Sequence, residues 1–308
     1  MNKVIRIGTR DSELALWQAN HVKNLLENNG YATEIVPVKS DGDLMLDKPL
    51  HELGITGVFT KTLDVAMHKG MVDIAVHSMK DVPTKLPKNV VKAAVLERAN
   101  PMDLFLHKDK IVDLNKLPEK ATIATGSLRR KAQWLSKFPK NKVEDLRGNV
   151  NTRLEKLKNN AWEGAVFAAA GLERINLKPK NHTVLDWMIP APAQGAMLVV
   201  AMVNDAYSRE ALKSLNHYET DICTTIEREF LSTLEGGCTA PIGALATIDV
   251  DYVTFTGGLF SLEGKQKVIV EKRVLIENCD GLGALCAQEV LQNGGKEIMN
   301  KLRKELNL

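Results

Sequence analysis

Apolar positions along this chain switch between two periods, and the switches come in a repeated order. Val4 to Gly8 is a short β-like run, after which Leu14, Trp17, Val22 and Leu25 recur at helical spacing. Asp11 or Ser12, just ahead of that pattern, would cap the predicted helix. The same grammar returns at Thr122 to Thr125, a predicted strand, followed by Gly126-Ser127 and a helix carrying Leu128, Ala132 and Leu135. Further on, Phe59 to His68 reads as helix, then Gly70 and the strand Val72 to Val76, ending in the loop His77 to Pro83. Asn151 to Asn159 likewise reads as helix, then Gly164 and the strand Ala165 to Ala169, ending in Ala170 to Arg174. Two matched series of buried-type strands and helices predict two α/β lobes with parallel sheets. The C-terminal part alternates differently: Ile242 to Ala246, Val253 to Leu259 and Lys267 to Val274 fit a small antiparallel sheet closed by a helix from Leu282 to Leu291.

In open parallel sheets ligands collect beyond the carboxyl ends of the strands. Arg10, Ser12, Lys80, Asp81, Ser127, Arg129, Arg130 and Arg174 all fall at such ends. Two lobes with facing polar loops predict a cleft. The cap loops at Ser12 and Ser127 favour anions through the unpaired N–H groups of helix N-termini. Arg147 and Arg153 add guanidinium forks in the second lobe, suited to carboxylate or phosphate. The ligand expected is multiply anionic. No P-loop and no GxGxxG follows a strand, which disfavours a nucleotide. The bland alternative for Ser127-Leu128-Arg129-Arg130 is a solvated helix start.

Asp81 lies directly after a buried strand, beside Lys80 and ahead of Pro83, where a carboxylate could move protons or steady a developing cation. Its alternative is a turn-forming Asx residue. His77 is a rival base, though a strand-end histidine is more often structural. Cys238 sits in Glu235-Gly236-Gly237-Cys238-Thr239-Ala240-Pro241, a run of backbone breakers that presents a sulfur to chemistry more readily than it packs one. A small buried residue at a turn is its alternative.

Composition sets the class. The 308 residues are 44% hydrophobic and 26% charged, an ordinary globular balance with room for two or three domains. No secretory h-region and no apolar run of about 20 residues is visible, so a cytoplasmic protein without a membrane partner is expected. With 41 basic against 38 acidic residues, a continuous basic face for nucleic acid is not expected. Cysteines at 223, 238, 279 and 286 form no CxxC pair or metal-finger spacing, so free thiols and no metal are expected.

Taken in order, RIGTRDSELALWQA (6–19), VHSMKDVPT (76–84), GSLRRKAQ (126–133), LRGNVNTRL (146–154), AAAGLERI (168–175), QGAM (194–197), LNHYET (215–220) and LEGGCTAPIG (234–243) closely resemble the hydroxymethylbilane synthase, or porphobilinogen deaminase, family. The match runs from Arg6 to about Gly295, and its specificity lies in the order and intervals of the motifs. The resemblance implies two lobes like periplasmic binding proteins plus a small C-terminal α/β domain with an antiparallel sheet. The implied domains are 1–97 completed by about 195–213, a catalytic lobe; 98–194, an arginine-rich lobe; and 214–308, the cofactor-attachment domain. The implied reaction is head-to-tail condensation of four porphobilinogen units with loss of ammonia, then hydrolytic release of the linear tetrapyrrole.

The resemblance further implies a dipyrromethane cofactor held by a thioether to Cys238. Asp81 matches the catalytic carboxylate, pairing with pyrrole N–H groups and stabilising the azafulvene cation left when ammonia departs. Lys80, Asp81, Ser127, Arg129, Arg130, Arg147 and Arg153 would bind the cofactor; Arg10, Ser12, Arg147, Arg153 and Arg174 would bind substrate. Lys39 to Thr60 reads as a loop that moves over the cleft, with Lys39, Asp43, Thr56 and Lys61 as its candidate contacts. Much of the family has Lys where this chain has Thr56, and Gly where it has Ala193. A monomer is expected. Two rival readings stand beside this one: a non-catalytic two-lobed binding protein for a small dianion, and a hydrolase with Cys238 as nucleophile and a base such as His217.

Overall fold

The computed structural model describes residues 3–39, 60–108, 113–234 and 240–306. The chain forms two compact units. One takes in the described residues up to Ala99 together with Gly195–Ile222; the other takes in Asn100–Gln194 and the described residues from Cys223 onward.

The first unit opens with β1 (Ile5–Thr9), α1 (Glu13–Asn28) and β2 (Thr33–Pro37), and continues through α2 (Lys61–His68), β3 (Ile74–Ser78) and β4 (Val90–Val95). Helix α1 starts where the sequence places it, because the Ser12 side chain accepts the Ala15 N–H. β1 pairs in parallel with both β2 and β3. In the core, Ile5, Ile7, Ile74 and Val76 pack against Val22 and Leu26 of α1.

The second unit begins with β5 (Asp103–His107), β6 (Thr122–Ala124), α3 (Leu128–Lys137), β7 (Lys142–Glu144), α4 (Val150–Asn159), β8 (Gly164–Ala168), α5 (Ala169–Arg174) and β9 (His182–Val184). Its sheet runs β7-β6-β8-β5-β9. β6 is parallel to β7 and β8, whereas β5 is antiparallel to β8 and β9. Leu104 and Leu106 pack on one face and Phe105 on the other, so the strand reads as one apolar run because both faces are covered. Such a run carries no direction, and the all-parallel expectation is met in β6, β7 and β8 alone.

The chain then returns to the first unit as β10 (Met197–Met202) and α6 (Ala206–Lys213). β10 lies antiparallel between β3 and β4, giving the sheet order β2-β1-β3-β10-β4. Helix α7 (Tyr218–Thr233) leads toward a three-stranded antiparallel sheet, β11 (Ile242–Asp249), β12 (Tyr252–Phe260) and β13 (Lys267–Leu275), closed by α8 (Leu282–Val290) and α9 (Lys296–Leu306). The fold class is the expected one: two mixed α/β lobes and a small C-terminal domain with an antiparallel sheet. That sheet is seated on the arginine-bearing lobe through residues 189 and 190. A Cβ on Gly243 or Gly258 would lie 2.8 Å from Ile189 side-chain atoms, and the Ala244 N–H donates to the Pro190 carbonyl at 2.9 Å.

Candidate functional site

In the first unit, Arg10 and Ser12 follow β1, Lys39 follows β2, and Lys80 and Asp81 follow β3, all beyond the carboxyl edge of the parallel strands. Lys80 and Asp81 occupy a single 3-10 turn, Met79–Asp81, pinned by the Met79 N–H on the Ala196 carbonyl at 3.0 Å. Burying Met79 leaves Lys80 and Asp81 half-exposed on the turn. Lys61 is exposed at the start of α2. His77 belongs to β3 and is buried; desolvation first, then the nearby Arg10 charge, pulls its pKa down to about 4. It is therefore neutral near pH 7 and a weak base. Asp43, Thr56 and Cys238 lie outside the described residues.

In the second unit, Ser127 follows β6, Arg147 and Arg153 follow β7, and Arg174 ends α5, which follows β8. Ser127 caps α3 by accepting the Arg130 N–H. Arg147 stands in the loop between β7 and α4, held close to the α3 cap: a Cβ on Gly126 would lie 2.6 Å from the Leu146 carbonyl. Gly148 turns that loop at φ +113, a conformation that favours glycine. Its carbonyl accepts Arg153 Nε at 2.7 Å, and the Arg147 carbonyl accepts Lys156 Nζ at 3.2 Å.

The burial of these arginines is unusual for charged groups. Arg147 is 8% exposed, and its buried Nε has no hydrogen-bond partner among the described residues. Burial lowers its pKa, against a partial opposing pull from Asp145. Desolvation likewise lowers Arg174 to about 10. A buried guanidinium donor without an acceptor carries a desolvation penalty of about 1–3 kcal/mol or more, which an arriving anion would offset. The fit to a group bearing several carboxylates is chemical as well as positional.

Arg129 and Arg130 stand differently. Both are buried, and both lie against Asp103, at the start of β5. Arg130 donates Nε (3.0 Å) and Nη2 (2.7 Å) to Asp103 Oδ1, and Nη1 to the Val166 carbonyl (3.0 Å). Arg129 donates Nη1 to the Ile189 carbonyl at 2.7 Å. Burial alone would raise the Asp103 carboxyl, but the two guanidinium groups hold it far below the usual carboxylate range. Gln194 completes the cluster, its amide donating to Asp103 Oδ1 (2.9 Å) and to the Pro101 carbonyl (2.7 Å). The sequence analysis singled out neither Asp103 nor Gln194. The available signal was Asp103 itself, a carboxylate opening an otherwise apolar strand, which demands a buried cation.

Family comparison decides among the rival readings. The model described as porphobilinogen deaminase, dipyromethane cofactor binding domain, matches residues 5–210, and that of the porphobilinogen deaminase C-terminal domain matches residues 222–292. The chain belongs to the porphobilinogen deaminase family. A porphobilinogen deaminase of Campylobacter hominis is 40% identical over 306 residues, covering 98% of each chain. Among solved structures, a methionine binding protein has TM-score 0.45 at 16% identity, covering 69% of this chain and 89% of its own. The second substrate binding domain of a putative amino acid ABC transporter from Streptococcus pneumoniae has TM-score 0.46 at 12% identity, covering 69% and 91%. As a porphobilinogen deaminase the chain is a transferase of tetrapyrrole biosynthesis: it condenses porphobilinogen into hydroxymethylbilane and works with a dipyrromethane cofactor.

Proposed function

We propose that the reaction is divided among the residues as follows. Asp81 is the catalytic carboxylate: it accepts pyrrole N–H groups and stabilises positive charge that develops as ammonia leaves porphobilinogen. Its ionised form favours a cationic transition state over a neutral ground state. Lys80, beside it on the same turn, contacts the cofactor, and Arg10 and Ser12 after β1 orient carboxylate side chains of the incoming unit. Ser127, Arg129, Arg130, Arg147, Arg153 and Arg174 hold the acetate and propionate groups of cofactor and growing product. When bound, the dipyrromethane supplies the ring to which the first unit is joined, and Cys238 carries it through a thioether. Lys39, Asp43, Thr56 and Lys61 are proposed contacts of a closing loop.

The observation that carries this reading is Arg147, a buried guanidinium whose Nε has no partner among the described residues, in a loop whose carbonyls are held by Arg153 and Lys156. A neutral ligand would leave that charge uncompensated; each pyrrole unit brings two carboxylates. We also propose the functional division 1–97 with about 195–213, 98–194 and 214–308, and a monomer acting in the cytoplasm without nucleic acid or membrane. The near balance of 41 basic and 38 acidic residues supports the absence of a nucleic-acid partner, and among the described residues no helix is long and apolar enough to cross a membrane.

The test is the intact mass of protein purified from cells that make porphobilinogen. A chain heavier than its polypeptide by two pyrrole rings, which gains further single rings and releases ammonia when porphobilinogen is added, is expected. A bare chain that binds porphobilinogen without releasing ammonia would establish the binding-protein reading instead.

A further inference from the structure

Helix α3, which opens with the Ser127 cap and carries Arg129 and Arg130 in its first turn, is gripped by the C-terminal sheet at two places. One is residue 189. The Gln133 side chain pairs with its backbone in both directions, Nε2 donating to the Ile189 carbonyl at 2.9 Å and Oε1 accepting the Ile189 N–H at 2.8 Å, and Ile189 in turn rests against Gly243 and Gly258. The other grip is direct. The loop between β12 and β13, Ser261 to Gln266, brings Gly264 onto the backbone of α3: a Cβ there would lie 2.2 Å from the Ala132 carbonyl oxygen and 2.5 Å from the Ser136 nitrogen. Those atoms belong to residues four apart, the spacing of one helical hydrogen bond, so Gly264 sits over a single rung of α3. The loop itself is tied down. The Ser261 N–H donates to the Gln266 carbonyl at 2.9 Å, the Gly264 N–H to the Ser261 carbonyl at 2.9 Å, the Gln266 N–H to Ser261 Oγ at 3.1 Å, and Lys301 of α9 reaches the Gln266 side chain at 2.9 Å. Gly264 has φ +68, so glycine is required both by conformation and by the close approach.

We propose that Gly264 is a positioning residue: from the C-terminal domain its loop sets the placement of α3, so that the first turn of the helix meets the carboxylates of cofactor and growing product in register. This rests on the role proposed above for Ser127, Arg129 and Arg130. Gly264 itself touches no ligand and acts through the helix backbone. A close-packed interior passes a displaced rung along a helix instead of absorbing it. Groups misplaced by about 1 Å from the reacting geometry can lose about 10²-fold in rate, so a small shift of α3 is enough to be read in turnover.

The experiment compares wild type, Gly264→Ala, Ser261→Ala and the control Gly281→Ala, each purified from cells that make porphobilinogen. Gly281 has φ +71 but nothing within 4 Å of an added Cβ, so the control carries the same backbone strain without pressing on α3. Intact mass gives the fraction of chains bearing two rings, the urea midpoint gives stability, single-turnover ring addition is read per loaded chain, and hydrogen exchange is followed in peptides of α3. Both glycine variants are expected to lose stability. Only Gly264→Ala is expected to slow ring addition per loaded chain, by about tenfold, and to speed exchange in α3. Ser261→Ala frees the Gln266 N–H and loosens the loop without a clash; it is expected to move both quantities in the same direction, and it carries the test where Gly264→Ala does not fold. Ring addition within about twofold of wild type in both loop variants overturns the proposal. An equal loss in Gly281→Ala also overturns it, since the effect would then be one of stability. A bare wild-type chain that binds porphobilinogen without releasing ammonia overturns the cofactor reading itself, whereas a loaded wild type with undisturbed loop variants strikes Gly264 alone.

Discussion

Glu227 is wholly buried on α7, and its carboxylate joins two distant backbone segments: Oε2 accepts the Ala193 N–H at 2.6 Å and Oε1 accepts the Ala246 N–H at 2.7 Å. The first of these residues sits at φ 61, in the left-handed region where an alanine costs about 1–2 kcal/mol. Glu227→Gln keeps the shape and one acceptor oxygen but sets an amide N–H against a backbone N–H. Hydrogen bonds to a charged group contribute about 1.5–3 kcal/mol and neutral ones about 1, so the retained bond weakens by roughly 1 kcal/mol. The other backbone N–H is left buried and unsatisfied, which costs about 1–3 kcal/mol. The sum is about 2–4 kcal/mol. With a urea m-value of about 3 kcal/mol/M, the unfolding midpoint drops by roughly 1 M. The assay is urea unfolding followed by tryptophan fluorescence, since Trp134, Trp162 and Trp187 lie in the same unit as Glu227. A midpoint within about 0.2 M of wild type, equivalent to about 0.6 kcal/mol, would refute the view that this carboxylate holds the segment leading to Gln194.

Three further outcomes are expected. Cys238→Ser gives a folded chain without the two-ring adduct, checked by intact mass; retention of that mass through another residue would remove Cys238 from its role. Asp81→Asn keeps the adduct but slows ring addition more than tenfold in single-turnover measurements, so a loss smaller than about 1.4 kcal/mol in activation free energy contradicts its assignment. His77 has its folded pKa pulled from 6.5 to about 4, so the unfolded chain binds a proton before the native one does as pH falls. Its contribution is full above pH 6.5 and lost between pH 6.5 and about 4, amounting to roughly 3 kcal/mol. The pH dependence of the urea midpoint should lose that slope in His77→Gln, and an unchanged slope would show that another group titrates there.

What the sequence disclosed and what it concealed divide by range of interaction. Ser12 and Ser127 were legible as caps because capping involves residues three apart. β3 was placed at 72–76 but runs Ile74–Ser78, because His77 and Ser78 are drawn into the ladder by Leu198 and Met197 of β10. No local pattern announces a partner from so far along the chain. Ala170 to Arg174 follows the predicted strand with no element assigned to it, yet Ala169–Arg174 is helical, consistent with the high helix propensity of its alanines. The arginine cluster was legible as chemistry, whereas the ion pairing of Arg129 and Arg130 was not, since Asp103 is 27 residues away from Arg130. Position 193 has a positive φ, where Gly would carry no strain: this chain holds Ala there at a backbone cost, and the Ala193 N–H donates to the Glu227 carboxyl.

The way the arginines are held explains how a folded chain can keep cationic groups ready for acidic ligands. A guanidinium fixed by a carboxylate is oriented but neutralised, and a ligand must then displace its partner. A guanidinium fixed by peptide carbonyls is oriented at its full charge. Arg153 donates to the Gly148 carbonyl and Arg129 to the Ile189 carbonyl, while Asp103 divides one negative charge between Arg129 and Arg130. Backbone carbonyls are available for this at the carboxyl edge of a parallel sheet, where strands end in loops. The cost is desolvation, visible in the lowered pKa values of Arg129, Arg147 and Arg174. That cost falls when carboxylates arrive, so part of the binding energy is held in the unliganded fold as desolvated positive charge.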